Sequence, residues 1–427
     1  MTVEQSQSPT STPRRTGLKE SLSLLRRNPE FRRLYVAQVI SFGGDWFLTI
    51  ALFGLVLELT GSAMTVALTL VAQEIPFFIF SPLGGALADR MDRRKLMVFA
   101  DCLRAGLCLG FLLVHDLTTL WIGFALLAAI SSLSAVFDPA SAAAVPNLVE
   151  KEDLAAANSL VGSAWGTMLA VGAALGGIVA ATFGRDTAFM VDAVSFAVSA
   201  ALLARIHRPF SERKHEEHPS VLEATREVFS YARKDHRIIA FLSVKAGFGL
   251  AAGVIVLVSV FATDVFHKGD VGIGILMAAR GVGALIGPFI GRWFAGPDDK
   301  RLLPAIGLAL ATFGISYALL GFAPTILIAA PIVMFAHFGG GAQWALSTYG
   351  LQKIVPDYIR GRVFAVDFAL ITLTIAISSL VAGYCAEHFG PRPTAMGMGV
   401  VAASWAAVWW LATRKVRRST WTDETQA

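Results

Sequence analysis

Apolar runs of about twenty residues recur along the whole chain and limit what it can fold into. An α-helix needs about twenty residues to cross roughly 30 Å of hydrocarbon. Only 16% of the 427 residues are charged, whereas a soluble protein typically has about 25%. The sequence therefore predicts an all-α membrane protein with twelve transmembrane helices. These predicted spans 1 to 12 lie approximately at residues 34–58, 66–88, 96–114, 119–140, 156–182, 187–204, 238–262, 272–291, 302–321, 325–348, 363–388 and 394–412.

Lysine and arginine are distributed very unevenly between the two sides of these spans. The two terminal segments and every second connector together contain 30 of the 36 cations, whereas the remaining connectors contain three. Membrane proteins keep an excess of lysine and arginine on the cytoplasmic side, so these counts predict that both termini are cytoplasmic. We therefore expect a multi-pass protein of the plasma (bacterial inner) membrane.

One long connector divides the predicted spans into two sets of six. Val145-Pro146, after span 4, has a counterpart in Val355-Pro356 after span 10, which indicates a weak internal repeat. Parallel repeats of this kind suit a transporter that rocks two halves around a central site. The predicted segments are a disordered cytoplasmic tail at 1–33, a six-helix bundle at 34–204, a cytoplasmic connector with an amphipathic helix at 205–237, a second six-helix bundle at 238–412 and a second cytoplasmic tail at 413–427.

The connector between spans 2 and 3 has the most distinctive sequence in the chain. It contains Gly85 and Asp89, followed by the cations Arg90, Arg93 and Arg94. This pattern resembles the Gly-x-Leu-Ala-Asp-Arg-x-Gly-Arg-Lys loop of major facilitator superfamily transporters, and its Asp-Arg-x-Asp-Arg-Arg variant resembles the drug, macrolide and siderophore exporter branch. The resemblance implies the major facilitator fold, two pseudo-symmetric six-helix bundles, and export of small amphiphilic molecules by proton antiport.

The resemblance also implies a gating role for this loop. In the superfamily the loop acid, here Asp89, caps the start of span 11 and helps to close the transporter on its cytoplasmic side. A carboxylate near a helix N-terminus gains about 0.3–1 kcal/mol, which is small enough to be broken in every cycle. A cluster that serves only to set the membrane topology explains the cations equally well. It does not explain why Gly85 and Asp89 stand at the positions of the glycine and the acid in the loop pattern.

Small residues form ridges on spans 5 and 8. Such ridges allow helices to approach closely in lipid. In the superfamily these two spans face each other across the two halves, which implies a sliding seam, with static packing as the alternative. Ala173 stands where the antiporter signature Gly-Pro-x-x-Gly-Gly has proline. The predicted seam consists of Gly162, Gly166, Gly172, Gly176, Gly177, Gly283, Gly287 and Gly291.

Several ionisable residues lie within the predicted spans, where each costs about 2.5–3.5 kcal/mol at the centre and is usually paired or functional. Asp45 and Glu74 lie deepest, and a carboxyl in a poorly hydrated cavity can exchange protons near physiological pH. We therefore expect one of them to couple transport to protons, with a structural hydrogen bond as the alternative for Asp45. Asp138 and Asp367 lie near the predicted cytoplasmic ends of spans 4 and 11 and are assigned to the gate.

The remaining charged residues divide into structural pairs and cavity candidates. Asp101 and Arg104, at i and i+3, are predicted to neutralise each other, and Asp192 is placed near the outer end of span 6 with no transport role. Lys245 and Arg280 are interpreted as structural counter-charges or as anchors for an acidic substrate. The predicted substrate cavity contains Trp46, Lys245, Arg280, His337, Gln343 and Trp344.

Other function classes lack their sequence signatures. The chain contains no phosphate-binding loop, nucleophile elbow or metal-type spacing, so we expect no enzyme activity, no cofactor and no metal. The expected partners are a small-molecule substrate, protons and the lipid bilayer, with no nucleic acid, and the expected state is a monomer. The alternatives are a proton-coupled uptake system or facilitated carrier, and a non-transporting membrane sensor or scaffold.

Overall fold

The computed structural model describes residues 18–150, 153–208, 221–296 and 299–418, and within them it contains helices and no strands. Twelve helices are long and apolar enough to cross a membrane, which confirms the predicted all-α membrane fold. Spans 1 to 6 are Pro29–Thr60, Ala63–Arg90, Arg93–Gly110, Leu120–Leu148, Leu154–Phe183 and Arg185–Ala204. Span 7 consists of His236–Ala252 and Val254–Val260, and spans 8 to 12 are Gly269–Ala295, Leu302–Leu320, Ile326–Ile354, Asp357–Phe389 and Pro391–Ala412.

The ends of span 1 show why the chain turns where it does. The Asn28 side chain accepts a hydrogen bond from the Phe31 amide at 3.0 Å and caps the helix start. At the other end Gly61 has a φ of 59°, a left-handed conformation that glycine adopts without strain. Ser62 then caps span 2 by accepting from the Thr65 amide at 3.1 Å. Spans 1 and 2 are therefore joined by a tight turn.

The predicted disordered tail at 1–33 is wrong for its second part. A helix runs over Leu18–Arg27, buries Leu24 completely, and is tied to the start of span 5 by an ion pair between Arg27 and Asp153. Its leucines recur at helical spacing, a signal that the high cation content of the segment conceals. Residues 1–17 lie outside the described residues, as do residues 209–220 of the predicted connector. The connector helix is described over Val221–Lys234.

The first six spans and the last six spans show the same pattern of neighbours. Span 1 packs on spans 5 and 6, span 2 on span 4, and span 3 on spans 4 and 6. In the same way, span 7 packs on spans 11 and 12, span 8 on span 10, and span 9 on spans 10 and 12. We call spans 1–6 the N group and spans 7–12 the C group. The most extensive contacts between the two groups are those of span 5 with span 8 and of span 2 with span 11.

The two groups touch at one face and separate toward the other. The connector face is the side with the start of span 1 and the connector helix, and the opposite face is the side with Gly61. Near the opposite face, a Cβ atom at Gly177 would lie 2.7 Å from the span 8 backbone, and one at Gly281 would lie 2.4 Å from span 5. Toward the connector face the gap widens to 3.5 Å at Gly166, and a Cβ atom at Gly162 would have no atom of the described residues within 4 Å.

The glycines of span 8 face a different neighbour from the one we predicted. Cβ atoms at Gly283 and Gly287 would lie 2.0 and 2.2 Å from carbonyl oxygens of span 10, and one at Gly291 would also meet span 10. These three glycines therefore bring spans 8 and 10 together within the C group. The seam with span 5 is formed instead by Gly274 and Gly281, which lie on another side of the same helix.

The predicted glycines of span 5 are also divided between two neighbours. Cβ atoms at Gly172 and Gly176 would lie 3.1 Å from the span 1 backbone, whereas Gly177 faces span 8. The Gly172–Gly177 signature thus joins span 5 to span 1 on one side and to the C group on the other. Small residues let the helix backbones approach closely on both sides. Such packing contacts matter because lipid provides no hydrophobic driving force for helix association.

Gly283→Ala should lower the thermal stability of the protein, whereas Gly162→Ala should not. The new methyl at position 283 would be forced onto a span 10 carbonyl, and overpacking of this kind costs about 1–3 kcal/mol. At position 162 the methyl enters open space, and alanine favours a helix by up to about 1 kcal/mol over glycine. The melting temperatures of both variants are measured in detergent by monitoring tryptophan fluorescence during heating. Equal melting temperatures would contradict the packing described for span 8.

Candidate substrate cavity

A cavity of about 470 Å³ lies between the two groups. Its wall is formed by spans 1, 2, 3, 4 and 5 of the N group and by spans 7, 8, 10 and 11 of the C group. This volume is within the range of about 300–1,000 Å³ that is usual for small-molecule sites. Its charged lining residues are Asp45, Glu74, Arg104, Asp138 and Arg280. Its aromatic lining residues are Phe42, Trp46, Phe53, Phe77, Phe137, Trp165, Trp344 and Phe368.

Three of the six residues predicted for the cavity lie on its wall: Trp46, Arg280 and Trp344. His337 does not; its Nε2 lies 2.7 Å from the Tyr317 hydroxyl in a buried pair inside the C group. Gln343 is fully buried away from the wall, and its amide has no hydrogen-bond partner among the described residues. A polar residue in an apolar span therefore need not face the cavity.

Lys245, the last of the six, is paired behind the wall. Its ammonium group forms an ion pair with Asp367 of span 11 and donates a hydrogen bond to the Thr348 hydroxyl at 3.0 Å. Both side chains are only 2% exposed. Lys245 also lies 4.9 Å from the ring centroid of Trp344, whose indole lines the cavity. We predicted Asp367 as a gate residue, but in the structure it forms a buried ion pair with Lys245 within the C group.

Arg104 contributes a second buried cation with an acid beside it. One of its guanidinium nitrogens lies 3.5 Å from the Asp101 carboxylate, as the i, i+3 spacing predicted. Asp101 also accepts a hydrogen bond from Ser199 at 2.6 Å. The guanidinium lies over the rings of Phe137 and Phe196, 4.4 and 4.9 Å from their centroids. Arg104 therefore reaches the cavity wall with its charge already opposed by Asp101.

Asp45 and Asp138 present carboxyl groups to the cavity from the N group. Neither carboxyl makes a hydrogen bond or an ion pair with the described residues, and both line the cavity. We predicted Asp138 as a gate residue because span 4 was expected to end near residue 140. The helix continues to Leu148, so Asp138 lies about three turns inside it.

Asp192 is buried directly behind Asp45. A Cβ atom at Gly44 would lie 2.4 Å from the Asp192 carboxylate, which therefore contacts the backbone of span 1. Asp192 accepts hydrogen bonds from the Cys108 thiol and the Ser195 hydroxyl, both at 3.2 Å. We predicted no transport role for this residue because it lies near the outer end of span 6. The signal for its true position is Gly44, which leaves room for the carboxylate.

Arg280 is partly buried and differs from the buried cations Arg104 and Lys245 because it has no acid in contact. Among the described residues no carboxylate lies within 4 Å of it, and its Nε is buried without an acceptor. Its Nη1 donates to the Met277 sulfur at 3.8 Å, and its Cζ lies 5.9 Å from the centroid of the Trp46 ring. Glu74 acts on Arg280 only through a longer-range Coulombic attraction.

The predicted gating loop is described in part. Gly85, Asp89 and Arg90 end the span 2 helix, and their side chains lie outside the described part of the chain. Arg93 donates to the Ala143 carbonyl at 3.0 Å and Arg94 to the Ile206 carbonyl at 2.5 Å. Both of these contacts lie within the N group.

The C group carries a polar cluster at the corresponding loop. Asp299, between spans 8 and 9, is 1% exposed and contacts Arg292, while it accepts hydrogen bonds from Tyr349 and Lys353 at 2.8 Å. Burial by itself raises the pKa of the Asp299 carboxyl, but these donors together hold its pKa below the usual value. Asp299 therefore remains ionised and ties spans 8 and 10 together at the connector face.

An ion pair and a hydrogen bond join the two groups at the opposite face. Arg185 of span 6 binds Asp270 of span 8 with a nitrogen–oxygen distance of 3.0 Å, and it also binds Glu58 of span 1 at 2.5 Å. Ser62 of span 2 donates a hydrogen bond to Glu387 of span 11. We call Glu58, Arg185 and Asp270 the latch. The latch connects the N group to the C group where the groups are already in contact, so opening at this face must break it.

Known proteins resemble this chain over most of its length. The family described as transmembrane secretion effector, of the major facilitator superfamily, matches residues 20–423. A Bacillus subtilis protein named for bacilysin export is 28% identical, with 87% of this chain and 91% of the relative covered. Macrolide efflux protein A of Streptococcus pyogenes is 25% identical (84% and 90% covered), and the staphyloferrin A transporter of Staphylococcus aureus is 24% identical (90% and 96% covered).

Solved transporter structures share the fold. A bacterial homologue of the human lysosomal transporter Spinster, solved in an inward-facing and unoccupied conformation, has a TM-score of 0.72 at 15% identity and covers 95% of this chain and 99% of its own. A POT family transporter in complex with 5-aminolevulinic acid has a TM-score of 0.74 at 11% identity, with 92% and 97% covered. At these identities the likeness shows the fold alone.

Arg185→Gln should open the protein at the opposite face. Removing one partner of a partly exposed ion pair costs about 1 kcal/mol, which corresponds to about a fivefold change in a two-state equilibrium. Spin labels are placed at the exposed positions Phe183 and Val271, one in each group. Double electron–electron resonance then measures the distance between the labels, and the population of long distances should rise.

Arg392→Gln is the matched control for the latch. Arg392 lies at the same face but donates to the Gly321 carbonyl within the C group, so its loss should leave the label distances unchanged. An unchanged distance distribution in Arg185→Gln, or the same change in both variants, would show that the latch does not hold the two groups together.

Proposed function

Since this chain belongs to the transmembrane secretion effectors of the major facilitator superfamily, and is therefore a transporter, we propose that it exports small amphiphilic molecules by proton antiport. The observation that carries the proposal is the cavity between the two groups. It combines aromatic side chains with three carboxyl groups, Asp45, Glu74 and Asp138, none of which forms an ion pair with the described residues. Aromatic walls suit amphiphilic ligands, and unpaired carboxyl groups suit the exchange of protons.

The distribution of cations gives the proposed orientation. The connector face carries most of the lysine and arginine residues, so it is the cytoplasmic face in this proposal. The contacts of Gly177 and Gly281 and the latch then close the cavity to the outside. The wider gap at Gly162 faces the cytoplasm, and the described conformation is the one that receives substrate from inside the cell.

Competition for the same carboxyl groups is the proposed source of coupling. An ionised carboxylate attracts a cationic group of the substrate, whereas a protonated one does not. Substrate therefore binds from the cytoplasm to the ionised acids, and protons from outside displace it after the two groups have rocked. The return step carries these protons inward, and their release into the cytoplasm regenerates the binding site. A proton gradient drives this cycle in the export direction, its electrical part supplying about 2.3 kcal/mol per charge per 100 mV.

The relatives suggest the chemical classes of substrate. Their names refer to bacilysin, a macrolide and the siderophore staphyloferrin A. We propose that this chain transports an organic molecule of similar size. Of the alternatives, symport moves substrate and protons in the same direction, and a sensor or scaffold binds ligand without net transport.

Asp45→Asn should strongly slow substrate-dependent proton movement. The purified protein is reconstituted in vesicles with an acidic interior and an internal pH dye, and bacilysin, a macrolide or staphyloferrin A is added outside. Exchange then raises the interior pH in the presence of substrate, and the rate should fall by about tenfold or more when the proton-binding carboxyl is removed. Glu74→Gln and Asp138→Asn, measured in parallel, show which of the three acids carries the proton.

Asp116→Asn is the matched control. Asp116 is an exposed residue between spans 3 and 4, where it accepts hydrogen bonds from Thr118 and Thr119, and its loss should leave the rate unchanged. Substrate-dependent pH changes as large as those of the wild-type protein in all three cavity variants would contradict proton coupling by these acids. Entry of labelled substrate without any pH change would establish a facilitated carrier, and entry of labelled substrate together with a fall in interior pH would establish symport.

A further inference from the structure

The cavity contains one partly buried cation, Arg280, for which the described residues supply no anion in contact. Three cations lie deep within the described spans, namely Arg104, Lys245 and Arg280. Lys245 is bound to Asp367, and Arg104 lies 3.5 Å from Asp101. Arg280 lines the cavity and has no carboxylate within 4 Å among the described residues, and its Nε, like that of Arg104, has no acceptor there. An ionised group in an apolar environment without a partner is costly. Glu74 attracts Arg280 only through a longer-range interaction, so an anion in contact with the guanidinium would have to come from a ligand in the cavity.

The position of Arg280 is fixed by the packing around it. The next residue, Gly281, lies against the backbone of span 5, where a Cβ atom would be 2.4 Å from the Ala170 nitrogen. The guanidinium lies beside the Trp46 ring and the Met277 sulfur, which interact with it weakly and carry no negative charge. A guanidinium offers a planar fork of donors that matches a carboxylate with two parallel hydrogen bonds.

The opposite wall of the cavity has the opposite charge. Asp45 and Asp138 lie on the N group, and their carboxyl groups make no hydrogen bond or ion pair with the described residues. Arg104 is close to them, but its charge is opposed by Asp101. This wall therefore attracts a cationic group and repels an anionic one, whereas Arg280 on the C group does the reverse.

We propose that the transported molecule is bipolar, with a carboxylate that binds Arg280 and an ammonium group that faces Asp45 and Asp138. A purely anionic ligand meets unfavourable charge on the N group, and a purely cationic ligand meets it at Arg280, so the two walls together select against both. Between these poles the aromatic side chains Trp46, Trp165 and Trp344 accommodate the apolar part of the molecule. This inference rests on the proposed export function and names its substrate class.

Three dipeptide derivatives test the charge requirement with nearly constant shape. Phenylalanyl-phenylalanine carries both charges, its methyl ester carries only the ammonium group, and its N-acetyl derivative carries only the carboxylate. Binding to the purified protein in nanodiscs is followed by quenching of tryptophan fluorescence, because three tryptophans line the cavity. The zwitterion should bind at least about tenfold more tightly than either derivative, as expected for a charge-assisted contact of about 1.5–3 kcal/mol.

Variants assign each charge to its wall. Arg280→Gln should weaken binding of the free dipeptide by about tenfold and leave the methyl ester unchanged, whereas Arg280→Lys should retain part of the preference. Asp45→Asn together with Asp138→Asn should abolish the preference for the free amine over the N-acetyl form. Arg392→Gln, which lies outside the cavity, should change nothing.

The result can separate this inference from proton antiport. The binding assay needs no proton gradient, so selective binding without substrate-dependent pH change would uphold the bipolar site and overturn antiport. Equal affinity of the wild-type protein for all three compounds, absence of binding by any of them, or an equal loss of affinity for dipeptide and ester in Arg280→Gln would overturn the bipolar site and leave antiport to be judged by the vesicle experiment.

Discussion

The cost of an ionised side chain in hydrocarbon governs where the charges of this protein lie. Lys245 and Asp367 satisfy each other behind the cavity wall, and Asp101 opposes the charge of Arg104. Those charges can be understood as parts of the scaffold, because each has a partner that does not depend on a ligand. Arg280 and the three cavity carboxyls have no such partner among the described residues. They lie where water, protons or a substrate can reach them, and that is the physical difference between a structural charge and a functional one.

Close packing of small residues sets the contact between the two groups. Lipid is as apolar as leucine, so helices in a membrane associate through close contact and polar links rather than through the hydrophobic effect. Gly177, Gly274 and Gly281 provide the close contact at the opposite face, and the latch provides the polar links. A contact of this kind holds one state without making it irreversible, since each component contributes only about 1 kcal/mol.

Hydropathy predicted the spans well, but the sequence could not predict the rotation of each helix about its axis. Every one of the twelve apolar runs corresponds to a helix, because each is long enough to cross the membrane alone. The face that Gly283 presents depends instead on neighbours far away in sequence, and so does the pairing of Lys245 with Asp367, which are 122 positions apart. Asp138 was misplaced for a simpler reason: span 4 continues past Pro139 and Pro146 as one helix, although proline usually ends a helix in water.

The position of the unpaired charges on two different groups bears on how transport is coupled to motion. A ligand can shift a conformational equilibrium only by as much as its affinity differs between the two states. A molecule bound to one group alone would move with that group as a rigid body, and its affinity would not change when the groups rock. A bipolar molecule held by Arg280 on the C group and by Asp45 and Asp138 on the N group senses the separation of the two walls. In our proposal, therefore, the same pair of contacts that selects the substrate also makes its binding favour one conformation over another.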